Sequence, residues 1–169
     1  MELSEILKSR EARVERQREL LESNPGLSLL CLTVQPPGPV KRNESSLVIA
    51  CAGVEAIRDS FRPEYEELRD LETGLEGFFL VSLTPAEAKR RACRIEDTHP
   101  LGRLMDIDVV VRQAHQPLPE PLGRESLGLP PRKCLLCDRP ARECMRARTH
   151  KTEELLEKID EMVESYLKS

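Results

Sequence analysis

The chain has 169 residues, a formal net charge of −4, 39% hydrophobic and 33% charged residues, and no Trp. That length fits one domain of ordinary size over 1–169, with a core of Leu, Val, Ile and Ala. The acidic balance argues against general nucleic-acid binding, and no apolar stretch approaches the length that spans a bilayer. MELSEILKSR lacks the charged-then-apolar pattern of a secretory signal, so the expectation is a soluble, cytoplasmic protein with no nucleic-acid or membrane partner.

Residues 3–22 carry Leu3, Ile6, Leu7, Val14, Leu20 and Leu21 among charges, the pattern of an amphipathic helix ended by Asn24-Pro25-Gly26. LSLLCLTVQ (27–35) reads as a buried strand stopped by PPGP (36–39). Asn43 or Ser45 caps a second helix over roughly 45–60. FFLVSL (78–83) reads as a second strand. Thr84-Pro85-Ala86-Glu87 is a capping box with Pro at the first helical position, opening a helix to about Arg94. LMDIDVVV (104–111) is a third strand. Residues 117–131 hold five of the thirteen prolines and form an extended loop. A last helix begins near Arg139 or Ala141 and runs to about Leu167. The expected class is α+β: a small mixed sheet covered by helices, with a long C-terminal helix.

Two features carry chemistry. In a strand, Asp106 and Asp108 share one face, with Ile107 and Val109 on the other. Two adjacent carboxylates repel unless one is protonated or a cation sits between them. Mg²⁺ is the usual resident when the ligand carries phosphates. Nucleotidyltransferases of the polymerase-β type place metal ligands in this pattern. Gly102 and Arg103, just before, offer backbone N–H groups and a guanidinium to phosphate oxygens. A half-exposed edge strand with two solvated carboxylates is the competing reading.

The second feature is the segment Arg132–Lys151, with seven basic residues against two acidic ones. It suits a specific anionic ligand or partner. It also holds Cys134, Cys137, Cys144 and His150, a C-x2-C-x6-C-x5-H spacing that invites zinc. In one continuous helix, however, Cys144 and His150 lie roughly 120° apart around the axis and about 9 Å apart along it. That geometry makes zinc the less favoured reading. It puts Arg142, Arg146 and His150 on one face, a stripe for a phosphate chain or a general base beside one. Arg10, Arg13 and Gln17 form a second stripe, of interest only if the first helix packs near the acidic pair. The remaining cysteines, Cys31, Cys51 and Cys93, read as buried thiols. No disulfide framework is expected.

Several stretches together resemble one family: SREARVERQ (9–17), PGPVK (37–41), HPLGRLMDIDV (99–109) and LPPRKCLLCDRPARECMRARTH (129–150). The chain resembles the citrate lyase holo-acyl-carrier-protein synthases, or apo-citrate lyase phosphoribosyl-dephospho-CoA transferases. The resemblance implies a single transferase domain (1–169), nucleotidyltransferase-like. Its substrate would be 2′-(5″-triphosphoribosyl)-3′-dephospho-CoA, and its acceptor a serine of the acyl carrier subunit of citrate lyase, with diphosphate released. Asp106 and Asp108 would bind Mg²⁺, and one Asp or His150 would take the serine proton. Arg103, Arg142, Arg146, Arg10 and Arg13 would clamp phosphates. Rival readings are the same chemistry on another carrier protein, such as that of malonate decarboxylase, and a zinc-dependent protein-binding module.

Overall fold

The computed structural model describes residues 2–169. Helix α1 (Leu3–Ser23) opens with a capping box between Glu2 and Glu5. Strand β1 (Ser28–Thr33) is buried at every position. Helix α2 (Glu44–Phe61) starts where the Asn43 side chain accepts from the Ser46 N–H at 2.8 Å. Strands β2 (Tyr65–Leu71) and β3 (Gly74–Val81) form a hairpin. Gly74 sits at φ 109°, where L side chains are strained. Helix α3 (Pro85–Thr98) uses the Thr84–Glu87 capping box. A 3-10 turn, Gly102–Leu104, leads into β4 (Asp106–Val111). The loop after it contains a two-residue strand, β5 (Glu120–Pro121), and a second 3-10 turn, Arg124–Leu127. Helices α4 (Ala141–Ala147) and α5 (Thr152–Lys168) close the chain. No helix among the described residues is long and apolar enough to cross a membrane.

The sheet order is β2-β3-β1-β4-β5, and every pairing is antiparallel. The expected mixed sheet is therefore corrected. The physical reason lies in the connections. Helix α2 joins β1 to β2, and α3 joins β3 to β4. Each crossover joins parallel strands, but an antiparallel strand lies between them. This is the split β-α-β arrangement, repeated twice.

Leu30, Leu32, Phe79, Val81, Ile107 and Val109 belong to one core with Ile49, Ile57, Ala88, Ala92, Ile159 and Val163. That face is covered by α2, α3 and α5. The opposite face carries a smaller cluster, Leu29, Cys31, Phe78, Leu80 and Val110, closed by Leu20 of α1. One helix cannot cover five strands, and the part of this face that α1 leaves open carries Asp106 and Asp108.

One strand was not expected and one expected helix is divided. Strand β2 reads YEELRDL, too charged to resemble a strand. It is stable as an edge because its charges are paired: Arg16 and Arg69 on Glu67, Arg58 on Glu66, Arg42 on Asp70. The last helix is two helices. Arg148 takes a left-handed conformation (φ 48°) and ends α4, and Lys151 caps α5. Cys51 is exposed, whereas Cys31 and Cys93 are buried as expected.

Candidate functional site

Register places three carboxylates on the α1 face. Thr33 of β1 pairs with Glu76 of β3 on one side and Asp106 of β4 on the other. The next row on that face is Phe78, Cys31 and Asp108. Asp106 and Asp108 thus share a face, and Glu76 stands two strand spacings from Asp106, about 10 Å across the sheet. All three lie toward the end of the sheet where β1 finishes and β3 and β4 begin.

Their environments differ. The Asp106 side chain is 42% exposed and receives an ion pair from Arg132. Burial raises the Asp108 carboxyl above the ordinary range, Asp106 and Glu96 add to the rise, and Lys89 and Arg132 oppose it. Lys89 is itself buried on α3. Glu76 is buried and held by Arg13 at 2.8 Å; its carboxyl is also raised, by burial against the pull of that guanidinium.

Arg103 and Arg132 form a linked pair beside Asp106. Arg132 donates to the Arg103 carbonyl at 2.8 Å, and Arg103 donates to the Lys133 carbonyl. Burial and the neighbouring Arg132 charge both lower the Arg103 pKa. Two adjacent guanidiniums answered by one exposed carboxylate are suited to an anion. Gly102 does something else. Its N–H donates to the His99 carbonyl at 2.9 Å, so the expected offer of that N–H to phosphate is not made. An added Cβ would lie 2.3 Å from the Ile95 carbonyl oxygen, so glycine is required by close packing on the end of α3. His99 caps α3 and tilts against Tyr166 of α5, a structural position.

Helix α1 does pack on the face of the acidic pair. Arg13 and Gln17 face the sheet, and Arg10 is exposed at a small recess shared with Arg13, Gln35 and Lys41. Beside it, a cleft of about 630 Å³ lies between α1, residues 39–42 and the β2–β3 hairpin. Lys8, Lys41, Arg42, Arg69 and Glu76 line it. Glu5 and Glu72 line it as well, so the segments 9–17 and 37–41, far apart in sequence, meet at one cleft of mixed charge that touches the carboxylate row at Glu76.

The break at Arg148 rearranges the last segment. Arg142 and Arg146 are exposed on α4 and make no ion pair among the described residues. His150 is outside α4, and the expected stripe of Arg142, Arg146 and His150 is not formed. Instead the ligand atoms of Cys134, Cys137, Cys144 and His150 all lie within 4.8 Å of one another. The objection to zinc rested on an unbroken helix and falls with it. Burial raises both Cys134 and Cys144. In Cys134 the N–H groups of Leu136 and Cys137 and the thiols of Cys144 and Cys137 win, drawing it down to about 7; in Cys144 the thiols of Cys137 and Cys134 add to a rise to about 11.

Sequence reasoning missed Arg132, Glu76, Lys41 and Lys89. Arg132 and Lys41 lay inside the stretches that carried the resemblance. Glu76 and Lys89 left no local signal, because long-range register and helix docking bring them in.

One protein family, described as apo-citrate lyase phosphoribosyl-dephospho-CoA transferase, matches residues 1–166. A relative from Streptococcus pyogenes (serotype M18) is 36% identical over 169 residues, covering 98% of this chain and 87% of the relative. A relative from Vibrio cholerae (serotype O1, strain M66-2) is 38% identical over 170 residues, covering 97% of this chain and 92% of the relative. Both bear the name "Probable apo-citrate lyase phosphoribosyl-dephospho-CoA transferase".

Proposed function

The chain belongs to the apo-citrate lyase phosphoribosyl-dephospho-CoA transferase family, and on that premise we propose how its residues serve the reaction. The protein is a transferase that loads the acyl carrier protein of citrate lyase with its prosthetic group. The donor is 2′-(5″-triphosphoribosyl)-3′-dephospho-CoA. A serine oxygen of the carrier forms a bond to the phosphorus nearest the ribose, the bond to the outer two phosphates breaks, and diphosphate leaves. Residues 1–169 act as one transferase domain with nucleotidyltransferase-type chemistry. That assignment rests on the Asp pair and not on the sheet topology.

The observation that carries the reading is the row Glu76–Thr33–Asp106, with Asp108 beside it and the linked Arg103–Arg132 pair at Asp106. Mg²⁺ fits this donor set: hard carboxylate oxygens, one of them poorly solvated and repelled by its neighbours. When bound at Asp106 and Asp108, it would neutralise the triphosphate and the departing diphosphate. The protein's own residues do the rest. A carboxylate oxygen of Asp108 left free of the ion accepts the serine proton. Arg132 and Arg103 turn from Asp106 and the Lys133 carbonyl toward phosphate oxygens. Arg13 holds Glu76, and Arg10 and Lys41 extend the positive lining toward the cleft. The chain supplies no nucleophile because the carrier does; its task is to orient two substrates and stabilise charge. Arg142 and Arg146 face outward and suit a carboxylate-rich surface of the carrier.

The test is intact mass spectrometry of apo carrier protein after incubation with this protein, the donor and Mg²⁺. A gain equal to the phosphoribosyl-dephospho-CoA arm is expected. An unchanged mass with active donor and carrier rejects the reading.

A further inference from the structure

We propose that Cys134, Cys137, Cys144 and His150 hold one structural zinc ion, and that this zinc positions Arg132 beside Asp106, within reach of the donor phosphates, by pinning the hairpin from which Arg132 projects. The positioning half rests on the transferase reading; the zinc half does not.

The ligand set is built by three local devices. Residues 132–141 form a tight hairpin: Lys133 bridges Pro140, the Cys134 N–H donates to the Arg139 carbonyl at 2.7 Å, and the Ala141 N–H donates to the Arg132 carbonyl at 2.8 Å. The hairpin presents Cys134 and Cys137. Helix α4 presents Cys144. The left-handed turn at Arg148 then folds the chain back, with the Thr149 N–H on the Cys144 carbonyl at 3.1 Å, and delivers His150. Cys137 Sγ already stands 3.4 Å from Cys144 Sγ. Tetrahedral zinc at ordinary Zn–S lengths needs sulfur–sulfur edges of about 3.7 Å. A group whose ligand atoms span no more than 4.8 Å meets that by small side-chain rotations.

A separate observation points at a ligand. His150 Nε2 is fully buried and has no hydrogen-bond partner. A buried ring nitrogen without a partner is costly, and a metal bond removes the cost. Three thiols and an imidazole select zinc, whereas the oxygen-only Asp pair selects Mg²⁺, so the two sites do not compete. Four protein ligands leave no open position, which makes the ion structural and not catalytic.

What it would organise is adjacent. Arg132 and Lys133 directly precede Cys134. Arg132 reaches Asp106 and the Arg103 carbonyl, and Arg103 reaches the Lys133 carbonyl. The hairpin is therefore tied to the loop before β4 by three side-chain bonds, all from residues within two positions of Cys134 or just ahead of Asp106. Without the ion, nothing but weak sulfur and imidazole contacts would join the hairpin to α4 and His150 through these four side chains.

The experiment begins with elemental analysis of protein purified from zinc-supplemented medium. One zinc per chain is expected in the wild type and in Asp106→Asn, and less than about a tenth of that in Cys137→Ser and His150→Ala. Should those variants fail to fold, Co²⁺ titration of reduced wild-type protein decides: intense tetrahedral bands with sulfur-to-cobalt charge transfer support the site. A weak octahedral spectrum, or wild-type protein that stays zinc-free after reconstitution, overturns it. For Arg132, zinc is stripped with a chelator, the chelator is removed, and transfer is measured before and after stripping with Mg²⁺ held in excess, in wild type and Arg132→Ala. Chelation should cost the wild type about tenfold in kcat/KM, reversed by zinc, and cost Arg132→Ala nothing further. Equal losses in both overturn the positioning half. Absence of transfer in every sample counts against the transferase reading and leaves the metal analysis standing.

Discussion

Arg13 donates to Glu76 across 2.8 Å, joining α1 to the row of the sheet that ends in Asp106. Glu76 is only 4% exposed, so its charge depends on that partner. Arg13→Ala should cost about 3 kcal/mol near neutral pH, read as a lower urea midpoint. Adding Glu76→Gln should restore most of the loss, because the amide needs no counter-charge. The deficit of Arg13→Ala should also shrink as pH falls, since burial already favours protonated Glu76. An unchanged deficit in the double variant would show that the pair does not act as a unit.

Asp106→Asn and Asp108→Asn should each lower kcat by about 10²–10³-fold. Their stabilities should differ. Burial raises the Asp108 carboxyl above its unfolded value, so its ionised form disfavours folding at pH above that value. Asp108→Asn removes the penalty and should melt higher than the wild type at pH 8 while losing activity. Wild-type kcat in both variants would end the proposed roles.

Gly102→Ala places a methyl group 2.3 Å and 2.5 Å from the Ile95 and Glu96 carbonyl oxygens. Backbone atoms cannot swing aside as a side chain would. A loss of about 1–3 kcal/mol is expected, measured by thermal or urea unfolding. A neutral result would mean that the end of α3 yields more easily than its packing indicates.

Acid should weaken the α1–β2 seam. Burial would raise the Glu67 carboxyl, but hydrogen bonds from Arg16, Tyr65 and Arg69 overcome it and hold it at about 2. A depressed folded pKa contributes stability above the unfolded value and loses it as pH falls toward 2. The contribution is at most about 3 kcal/mol. Unfolding free energy measured between pH 5 and pH 2 should therefore decline less steeply in Glu67→Gln. Parallel curves for the two proteins would refute the coupling.

Reversing charge at Arg142 and Arg146, in R142E/R146E, should raise KM for the carrier several-fold and leave KM for the donor unchanged. The effect should be larger at low ionic strength. A rise in donor KM instead would return these arginines to the phosphates.

The legible parts of the molecule were those governed by local rules. Asn43 and Thr84 cap helices as their neighbours dictate, and period two puts Asp106 and Asp108 on one face. Strand β2 was illegible because its charges are neutralised by Arg16, Arg42 and Arg58 from other elements. The turn after α4 was illegible for a different reason. Arg148 adopts a left-handed conformation usually left to Gly or Asn, with no proline or glycine to announce it. That single residue decided whether His150 stood on a phosphate-facing stripe or among three cysteines. Glu76 was out of reach because only long-range register brings it to Asp106.

The inserted order of the sheet has a consequence for synthesis. Strand β1 is central, yet its partners come late: β3 begins at Gly74 and β4 at Asp106. Contacts of such long sequence separation slow folding. A chain emerging from the ribosome could complete β1, α2, β2 and β3 while one edge of β1 still awaited β4. Until residue 111 is free to pair, the buried strand SLLCLT offers its backbone to any neighbour, and nascent copies on one message are each other's nearest partners.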